Sequence, residues 1–307
     1  MNHSFLSAKE VQERLRVIIQ RPPLPTAARG CSVLCTEQAS RRLMIFNAEK
    51  DWNNPDALLW EWCPDRHPEL PVREDWWFNA ISEAKSKEGG KKILLTASGG
   101  AVALIDRATK KADFCGYAGG NTHSAEILPD GNIAAASSTG GYITLFHVEE
   151  GEVEPVGEPA RIPYLDTHGV AWDKWQELLW VLGEREICGF RYTGTKSMPS
   201  LEKIYSIPLP EKAFCGHDLT FVPASRTLFL SASKALFLFD TVKREILSLA
   251  DIDHVKSISL NRWAADSALI VQIPKEEWWS DEIFFLGKDR PAIGRYDGAR
   301  FYKARFI

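Results

Sequence analysis

Residues 119–132 read GGNTHSAEILPDGN, and the rest of the chain repeats the pattern of this stretch. A glycine-rich turn leads to His123, a run of alternating polar and apolar residues follows, and Pro129-Asp130-Gly131 turns the chain back. Alternation bounded by turn residues is typical of a β-strand that enters a hairpin. We therefore predict a strand that begins at His123.

Equivalent positions recur along the chain at a nearly regular spacing. His123, His168, His217 and His254 each precede a strand-like run, at successive spacings of 45, 49 and 37 residues. Asn79 occupies the corresponding place 44 residues before His123. A period of about 40 to 50 residues is typical of propeller and solenoid repeats.

From residue 31 onward, short runs with strand patterns are separated by turn residues and form six groups. Five groups contain four strands and the first contains three. The alternating residues 299–307, ARFYKARFI, can supply the missing strand. A ring of blades must close, because an open end leaves an unpaired sheet edge. We therefore predict an all-β fold, a six-bladed β-propeller closed by the C-terminal strand.

The N-terminal segment has a different pattern. Ser7 and Glu10 have the spacing of a helix capping box, apolar residues follow at helical spacing, and Pro22-Pro23 ends the run. We predict an amphipathic helix over residues 8–20 that packs on the propeller. A membrane-surface helix is the alternative, but the aromatic residues and basic face of that role are missing. The predicted organisation is therefore helix and coil over 1–30 and one propeller domain over 31–307.

Composition narrows the partners and the compartment. The chain has 307 residues and a net charge of −4. Proteins that bind nucleic acid or anionic membranes have a strongly basic surface, which this composition does not favour. Its six cysteines have no CxxC spacing, which favours buried thiols in a reducing compartment. Nucleophile-elbow, phosphate-loop and zincin motifs are also missing from the sequence. We expect a monomeric, cytoplasmic protein with no nucleic-acid or membrane partner.

The repeated histidines predict a metal site. In characterised propellers, which this repeat resembles, the first strand of each blade lines the central channel, so residues at the heads of these strands converge. Three neutral imidazoles suit a divalent ion such as Zn, Mn, Fe, Ni or Cu. We predict His123, His168 and His217 as the ligands, His254 as a fourth ligand or a base, and Asn79 as a residue that holds a bound oxygen.

A structural role for the histidines is the alternative. In WD-repeat propellers a Gly-His pair before the first strand is structural, and its imidazole binds an aspartate in the same blade. Asp106 and Asp240 end predicted third strands, where such a partner belongs. The Trp-Asp dipeptide of that family is missing here, and both interpretations stay open.

Two tryptophan pairs lie in loops that we expect on the same face of the propeller. Paired aromatic rings favour a stacking platform for a sugar ring or a contact with a protein, and the alternative is that they clamp the first blade. The predicted binding residues are Trp76, Trp77, Trp278 and Trp279. On the closing strand, we predict that Arg300 binds a substrate carboxylate and that Tyr302 transfers a proton.

The motifs at 94–105 (LLTASGGAVALI), 119–132, 167–173 (THGVAWD) and 216–223 (GHDLTFVP) resemble an uncharacterised family of β-propeller proteins of bacteria and fungi. That resemblance implies the fold and no reaction. A looser resemblance is to oligogalacturonate lyases, propellers whose central histidines hold a divalent metal that acidifies a uronate.

Together these features predict a metal-dependent enzyme, a lyase, hydrolase or isomerase, acting at the channel on a small polar substrate such as a sugar acid or oligosaccharide. The competing hypothesis is a non-catalytic propeller that binds a protein or glycan through its tryptophan-bearing face. Fold alone does not choose between them.

Overall fold

The computed structural model describes residues 32–261, 268–286 and 292–307. The helix predicted over residues 8–20 lies outside the described residues. Within them, 24 strands form six four-stranded antiparallel sheets. The innermost strands of neighbouring sheets contact one another in cyclic order, which closes the six sheets into a ring. The predicted six-bladed β-propeller is therefore confirmed.

In each blade the strands follow one another from the channel outward. Blade 1 contains β24 (Phe301–Phe306), β1 (Ser32–Glu37), β2 (Arg42–Asn47) and β3 (Leu58–Trp62). Blade 2 contains β4 (Ile81–Lys87), β5 (Lys92–Ala97), β6 (Ala101–Asp106) and β7 (Ala112–Tyr117). Blade 3 contains β8 (Thr122–Ile127), β9 (Ile133–Ser137), β10 (Tyr142–Phe146) and β11 (Ala160–Pro163). Blade 4 contains β12 (Gly169–Asp173), β13 (Leu178–Leu182), β14 (Glu186–Thr195) and β15 (Met198–Pro208). Blade 5 contains β16 (Asp218–Phe221), β17 (Thr227–Ser231), β18 (Leu236–Asp240) and β19 (Glu245–Ala250). Blade 6 contains β20 (Ser257–Asn261), β21 (Ala268–Gln272), β22 (Glu282–Leu286) and β23 (Ala292–Arg295). Short 3₁₀ turns in the described loops are Pro55–Ala57, Pro64–Arg66, Asp75–Phe78, Glu88–Gly90 and Glu211–Ala213.

The ring closes as predicted, with one C-terminal strand and three N-terminal strands in blade 1. β24 pairs antiparallel with β1, so that Val33 lies opposite Phe306 and Cys35 opposite Ala304. Phe301 packs edge-on against Trp52, with ring centroids 5.9 Å apart. Closure therefore pairs the backbone of β24 with that of β1 and buries large aromatic rings at the seam.

The second strands of blades 3, 4 and 5 are buried along their whole length. Every residue of β9 and of β13 is buried, because neighbouring blades cover both faces of these strands. Such strands read as continuous apolar runs rather than as alternating ones. Each large apolar side chain buried in this way contributes roughly 1.5–3 kcal/mol of hydrophobic free energy. The packed blades thus form a rigid frame for side chains at the channel.

The described cysteines are free thiols, four of them buried and Cys215 exposed. No helix in the described parts of the chain is long and apolar enough to cross a membrane.

Candidate functional site

Three of the repeated histidines meet at one end of the channel, as the repeat predicts. The rings of His123 and His168 stack with centroids 4.9 Å apart and an interplanar angle of 16°. The ring of His217 lies 5.5 Å from that of His168 at 83°. Tyr302 places its ring 5.8 Å from His123. With Lys256, these four side chains form what we call the mouth cluster.

Lys256 belongs to the cluster because blade 6 places a lysine where blades 4 and 5 place histidines. The backbone N–H of His168, of His217 and of Lys256 each donates to a carbonyl of the second strand in its own blade, at 3.0, 2.9 and 2.9 Å. Each of the three residues directly precedes its inner strand. Lys256 rather than His254 is therefore the blade 6 equivalent, and the sequence pattern missed it by two residues.

The hydrogen-bond partners favour opposite tautomers for the two stacked rings. The backbone carbonyl of Asp166 lies 3.1 Å from Nδ1 of His168. A carbonyl only accepts, so Nδ1 carries the proton and Nε2 keeps a lone pair. The Tyr302 hydroxyl lies 3.5 Å from Nδ1 of His123. A phenol is the better donor, and this hydroxyl has no other partner in the described chain, so we infer that Nε2 of His123 carries the proton.

His217 is fixed by Lys256. The Lys256 ammonium donates a hydrogen bond to Nε2 of His217, with Nζ and Nε2 2.9 Å apart. Nδ1 of His217 then carries the ring proton, and it is buried without a partner among the described residues. By contrast, neither Nε2 of His123 nor Nε2 of His168 is both fully buried and unpartnered. These two atoms are the reactive positions that remain open to a ligand.

All three imidazoles are neutral near pH 7. Burial is the largest cause and lowers the pKa of His123 and of His217 well below the usual 6.5. Burial also lowers the pKa of His168, although the Asp166 carboxylate opposes it. The positive charges of Lys256 and Lys303 lower all three pKa values further. Neutral imidazoles can accept protons, donate hydrogen bonds or bind metals.

The Lys256 ammonium is buried without a counter-ion. Its residue is only 9% exposed. Burial, together with the positive charge of Lys303, lowers its pKa from 10.5 to about 8. In the described part of the chain, no carboxylate lies within ion-pair distance of Lys256. A buried cation without a partner is unusual and marks a functional candidate.

A buried layer of paired charges lies next to the mouth cluster along the inner strands. Lys303 Nζ lies 3.1 Å from Glu83 and 3.3 Å from Asp218. Arg305 binds both oxygens of Glu83, at 2.9 and 3.0 Å, and both oxygens of Asp218. Burial would raise the pKa of Asp218, but the two cations overcome this and hold it well below its usual range. This charge layer borders the mouth cluster.

Further along the channel, a second lysine is held mainly by neutral groups. Lys85 Nζ donates to the hydroxyl of Ser124 at 3.1 Å and to the carbonyls of Ala125 and Val170 at 3.0 and 2.6 Å. Glu126 forms its close ion pair with Lys87. These contacts tie blades 2, 3 and 4 together around the channel.

Three other predicted site residues lie outside the mouth cluster. Asn79 is exposed, and its backbone carbonyl accepts from Gly99. His254 is exposed with φ 58°, two residues before the equivalent position. Arg300 is exposed with its guanidinium 4.7 Å above the ring of Trp279. The structure therefore gives these residues no contact with the clustered histidines.

Of the two tryptophan segments, the one with Trp278 contacts blade 1 through Gln38, whereas Trp76 and Trp77 pack against Tyr117 of blade 2. The Trp278 indole donates to the Gln38 side-chain oxygen at 2.9 Å, and the Gln38 amide donates to the Ile81 carbonyl at 3.2 Å. Trp77 is buried, whereas Trp76 and Trp278 remain 44% and 48% exposed. The clamping interpretation thus describes the contacts of Trp278, while two half-exposed rings remain on the surface.

The aspartates of the WD-type alternative do not hold the histidines. Asp106 accepts from the Thr109 backbone and hydroxyl, and Asp240 accepts from the backbone of residues 242 and 243. Both carboxylates therefore cap turns at the ends of their strands.

The mouth cluster as arranged does not fit a metal ion. Imidazole lone pairs lie in the ring plane, so the nearly parallel rings of His123 and His168 do not aim at one point. The third ring, His217, has its Nε2 bound to Lys256. Among the described residues, no three or more His, Cys, Asp or Glu side chains are grouped to hold a metal. Metal binding therefore stays a prediction from the sequence.

Sequence comparison places the chain in a family. The model of DUF6528, a family of unknown function, matches residues 16–307. The chain belongs to this family. The uncharacterised propeller family that the motifs resemble is thereby supported, whereas a likeness to oligogalacturonate lyases is not shown. No curated protein sequence matches the chain.

Solved structures similar to this DUF6528 chain share its fold at low identity. A protein of unknown function from Bacteroides caccae is 13% identical over 91% of this chain and 99% of its own, with a TM-score of 0.53. Virginiamycin B lyase from Staphylococcus aureus is 13% identical over 91% of this chain and 87% of its own, with a TM-score of 0.52. Kuenenia stuttgartiensis hydrazine synthase is 14% identical, and the match spans 70% of this chain and 64% of that one, with a TM-score of 0.45. The likenesses to the Bacteroides caccae protein and to virginiamycin B lyase show the fold alone.

Proposed function

We propose that the protein is an enzyme that transfers protons to and from a small polar molecule bound at the mouth cluster. The observation that carries this proposal is the stacked pair His123 and His168, 4.9 Å apart. Their contacts favour a lone pair on one Nε2 and a proton on the other. An acid and a base side by side, both neutral, suit proton abstraction and return at one carbon or oxygen.

His168 is the base in this proposal. Its Nε2 accepts the substrate proton, while the Asp166 carbonyl holds Nδ1–H in the required tautomer. The Asp166 carboxylate, 3.3 Å from Nδ1, stabilises the imidazolium that forms. The same division of roles, with a base and an orienting acidic residue, occurs in acyl-transfer enzymes.

His123 is the hydrogen-bond donor. Its Nε2–H polarises a substrate oxygen, and Tyr302 behind it holds the lone pair of Nδ1. Burial raises the pKa of Tyr302, so the phenol stays protonated. A neutral imidazole donor of this kind avoids placing a second full positive charge beside the base. Proton abstraction beside a carbonyl group is the shared step of many lyases and isomerases, which are the reaction classes this site serves best.

The opening limits what can bind. His123 is 8% exposed and the side chain of His168 is 14% exposed. Only a small molecule, or one end of a longer one, therefore reaches both Nε2 atoms. A surface cleft of about 510 Å³ lies at the outer edge of blades 2 and 3 and is lined by none of the mouth cluster.

A second candidate function rests on the half-exposed rings of Trp76 and Trp278. They flank the blade 1 turn and offer apolar surface to a glycan or a protein. In that case the histidines have a structural role.

Chemical modification tests the proposed base. Diethyl pyrocarbonate acylates accessible, unprotonated imidazoles, and peptide mapping locates the modified histidines. We expect His168 to react in the folded protein at pH 7, with the exposed His254 as an internal positive control. We expect His217 to be protected until the protein is denatured. Reaction at His254 without reaction at His168 would remove the base from the proposal.

Solvent exchange tests the reaction itself. A panel of sugar acids and hydroxy acids is incubated with the protein in D₂O, and deuterium at the carbon beside the carboxylate is measured by NMR. We expect exchange for at least one member and its loss in His168→Asn. Exchange that persists in His168→Asn would contradict the assignment of the base.

A further inference from the structure

We infer that the molecule bound at the mouth cluster carries a carboxylate, and that Lys256 is the residue that binds it. This inference rests on the proposed function and names the class of substrate. Sequence reasoning assigned the carboxylate to Arg300, which lies exposed over Trp279 instead.

The other described cations along the channel are each close to a carboxylate. Lys303 and Arg305 share the two carboxylates of Glu83 and Asp218. The cations deeper in the channel, Lys85 and Lys87, both lie within 4 Å of Glu126. Within the described residues, only Lys256 among these channel cations has no carboxylate in reach. The structure supplies every other channel cation with an anion and leaves this one for a ligand.

The electrostatic field at the mouth cluster favours an anionic ligand. Lys256 and Lys303 act on each of the three imidazoles, and both are positive. The Asp166 carboxylate, on a side chain that is 35% exposed, opposes them at His168. Glu83 and Asp218 pair with Lys303, so within the described cluster the charge left without a counter-ion is that of Lys256. A cationic ligand is repelled by this field. A neutral ligand leaves the buried ammonium unpaired, which is costly, whereas a carboxylate pairs with it.

Lys256 also lies close to the proposed base. Lys256 contacts His217, and the ring of His217 lies 5.5 Å from that of His168, the proposed base. A carboxylate on Lys256 therefore lies on the same side of the site as the base. A hydrogen beside a carboxylate is removed with difficulty because negative charge accumulates on that group, and a desolvated ammonium stabilises this charge. Lys256 would thus both bind the substrate and acidify the hydrogen beside its carboxylate. The class of substrate that fits is a uronate or a hydroxy acid.

A matched pair of sugars tests the inference. D-Galacturonate and D-galactose differ at C6, where one has a carboxylate and the other a hydroxymethyl group. Binding of each, and of glycolate as a minimal carboxylate, is measured by titration calorimetry at constant ionic strength, so that general screening by salt is held fixed. The variants are Lys256→Met, which keeps most of the side-chain volume, and the control Lys212→Met, at an exposed lysine paired with Asp251 on the surface.

We expect galacturonate or glycolate to bind the wild type and the Lys212→Met variant equally. We expect Lys256→Met to bind it about 10- to 100-fold more weakly, the usual worth of a charge-assisted hydrogen bond. Galactose is expected to bind more weakly than galacturonate.

Three results overturn the inference. The first is equal affinity for galactose and galacturonate, which leaves the acid–base proposal standing with a neutral substrate. The second is carboxylate binding that is unchanged in Lys256→Met, which moves the anion site elsewhere. The third is no binding of either carboxylate at millimolar concentration. Modification of His168 by diethyl pyrocarbonate does not depend on any of these three binding results. Failure of the inference is therefore distinguishable from failure of the proposed function.

Discussion

Replacing Lys256 by methionine is expected to make the protein more stable at neutral pH. Removing a charged residue from a site usually destabilises a protein if the charge was paired. Lys256 has no carboxylate partner in the described chain, and burial disfavours its charged form. Methionine keeps an unbranched side chain of similar length, so the packing is largely retained.

The magnitude follows from the pKa. A fall from 10.5 to about 8 corresponds to a cost of about 3 kcal/mol for holding the ammonium charged in the folded protein, at about 1.4 kcal/mol per tenfold change. The hydrogen bond to His217 is lost in the variant, which costs about 1 kcal/mol. The expected net gain in the free energy of unfolding is therefore about 1–3 kcal/mol at pH 7.

The pH dependence gives the prediction a second test. Because the folded pKa lies below the unfolded one, the unfolded chain binds more protons between about pH 8 and pH 10.5, and wild-type stability rises with pH there. The destabilisation is complete below about pH 8 and disappears as the pH passes about 10.5. The advantage of Lys256→Met should therefore shrink to about 1 kcal/mol or less at pH 10.

Urea unfolding of both proteins at pH 7 and pH 10, followed by tryptophan fluorescence, measures the difference. The variant Lys212→Met serves as control, because its exposed ammonium has no burial cost to relieve, and we expect a change within about 0.5 kcal/mol. Lower stability of Lys256→Met at both pH values would refute the reasoning, since it would show that the ammonium is well paired in the folded protein.

Other expected outcomes concern the layers around the mouth. Arg305→Met should destabilise the protein by about 3–5 kcal/mol in urea unfolding, because it leaves two buried carboxylates with only Lys303; a neutral result would contradict the paired-charge layer. Gly169→Ala should cost about 1–3 kcal/mol in the same assay, because a Cβ there would lie 2.6 Å from the Cβ of Leu219; wild-type stability would show that blades 4 and 5 separate easily. The protein should lose stability as the pH falls below about 6.5, because the unfolded imidazoles bind protons that His123 and His217 resist when folded; a smaller pH dependence in the double variant His123→Asn, His217→Asn checks the origin. Elemental analysis of the untagged protein should find no stoichiometric metal at the mouth, because Lys256 holds Nε2 of His217; stoichiometric zinc that is lost in His168→Asn would restore the metal site.

The architecture could be predicted because it depends on patterns that repeat. Turn residues before each inner strand recur at nearly constant spacing, and the alternating residues 299–307 lack any partner except the open edge of blade 1. The meeting of His123, His168 and His217 follows from the same repeat, since equivalent positions in a closed ring face one axis.

The chemistry of the mouth could not be predicted in the same way. His254 matched the pattern by residue type, but at the shortest spacing, 37 residues. The turn before β20 is like the others, with a positive-φ residue two positions before the equivalent one, so His254 matches Asp166 and Cys215 and the equivalent position falls on Lys256. Ring tautomers depend on neighbours such as the Asp166 carbonyl, whose direction is set by the backbone of one turn. Likewise, the pairing of Glu83 with Arg305 joins residues 222 positions apart, and a sequence pattern carries no sign of it.

The measurement that tests the central claim most directly is the tautomeric state of the three mouth histidines. Two-bond ¹H–¹⁵N correlation spectra of protein labelled with ¹⁵N-histidine distinguish Nδ1–H, Nε2–H and imidazolium forms, and single histidine variants assign the signals. The account predicts three neutral rings at pH 7, with Nδ1–H for His168, Nε2–H for His123 and Nδ1–H for His217. The same tautomer on His123 and His168, or an imidazolium in the cluster at pH 7, would contradict the acid–base pair.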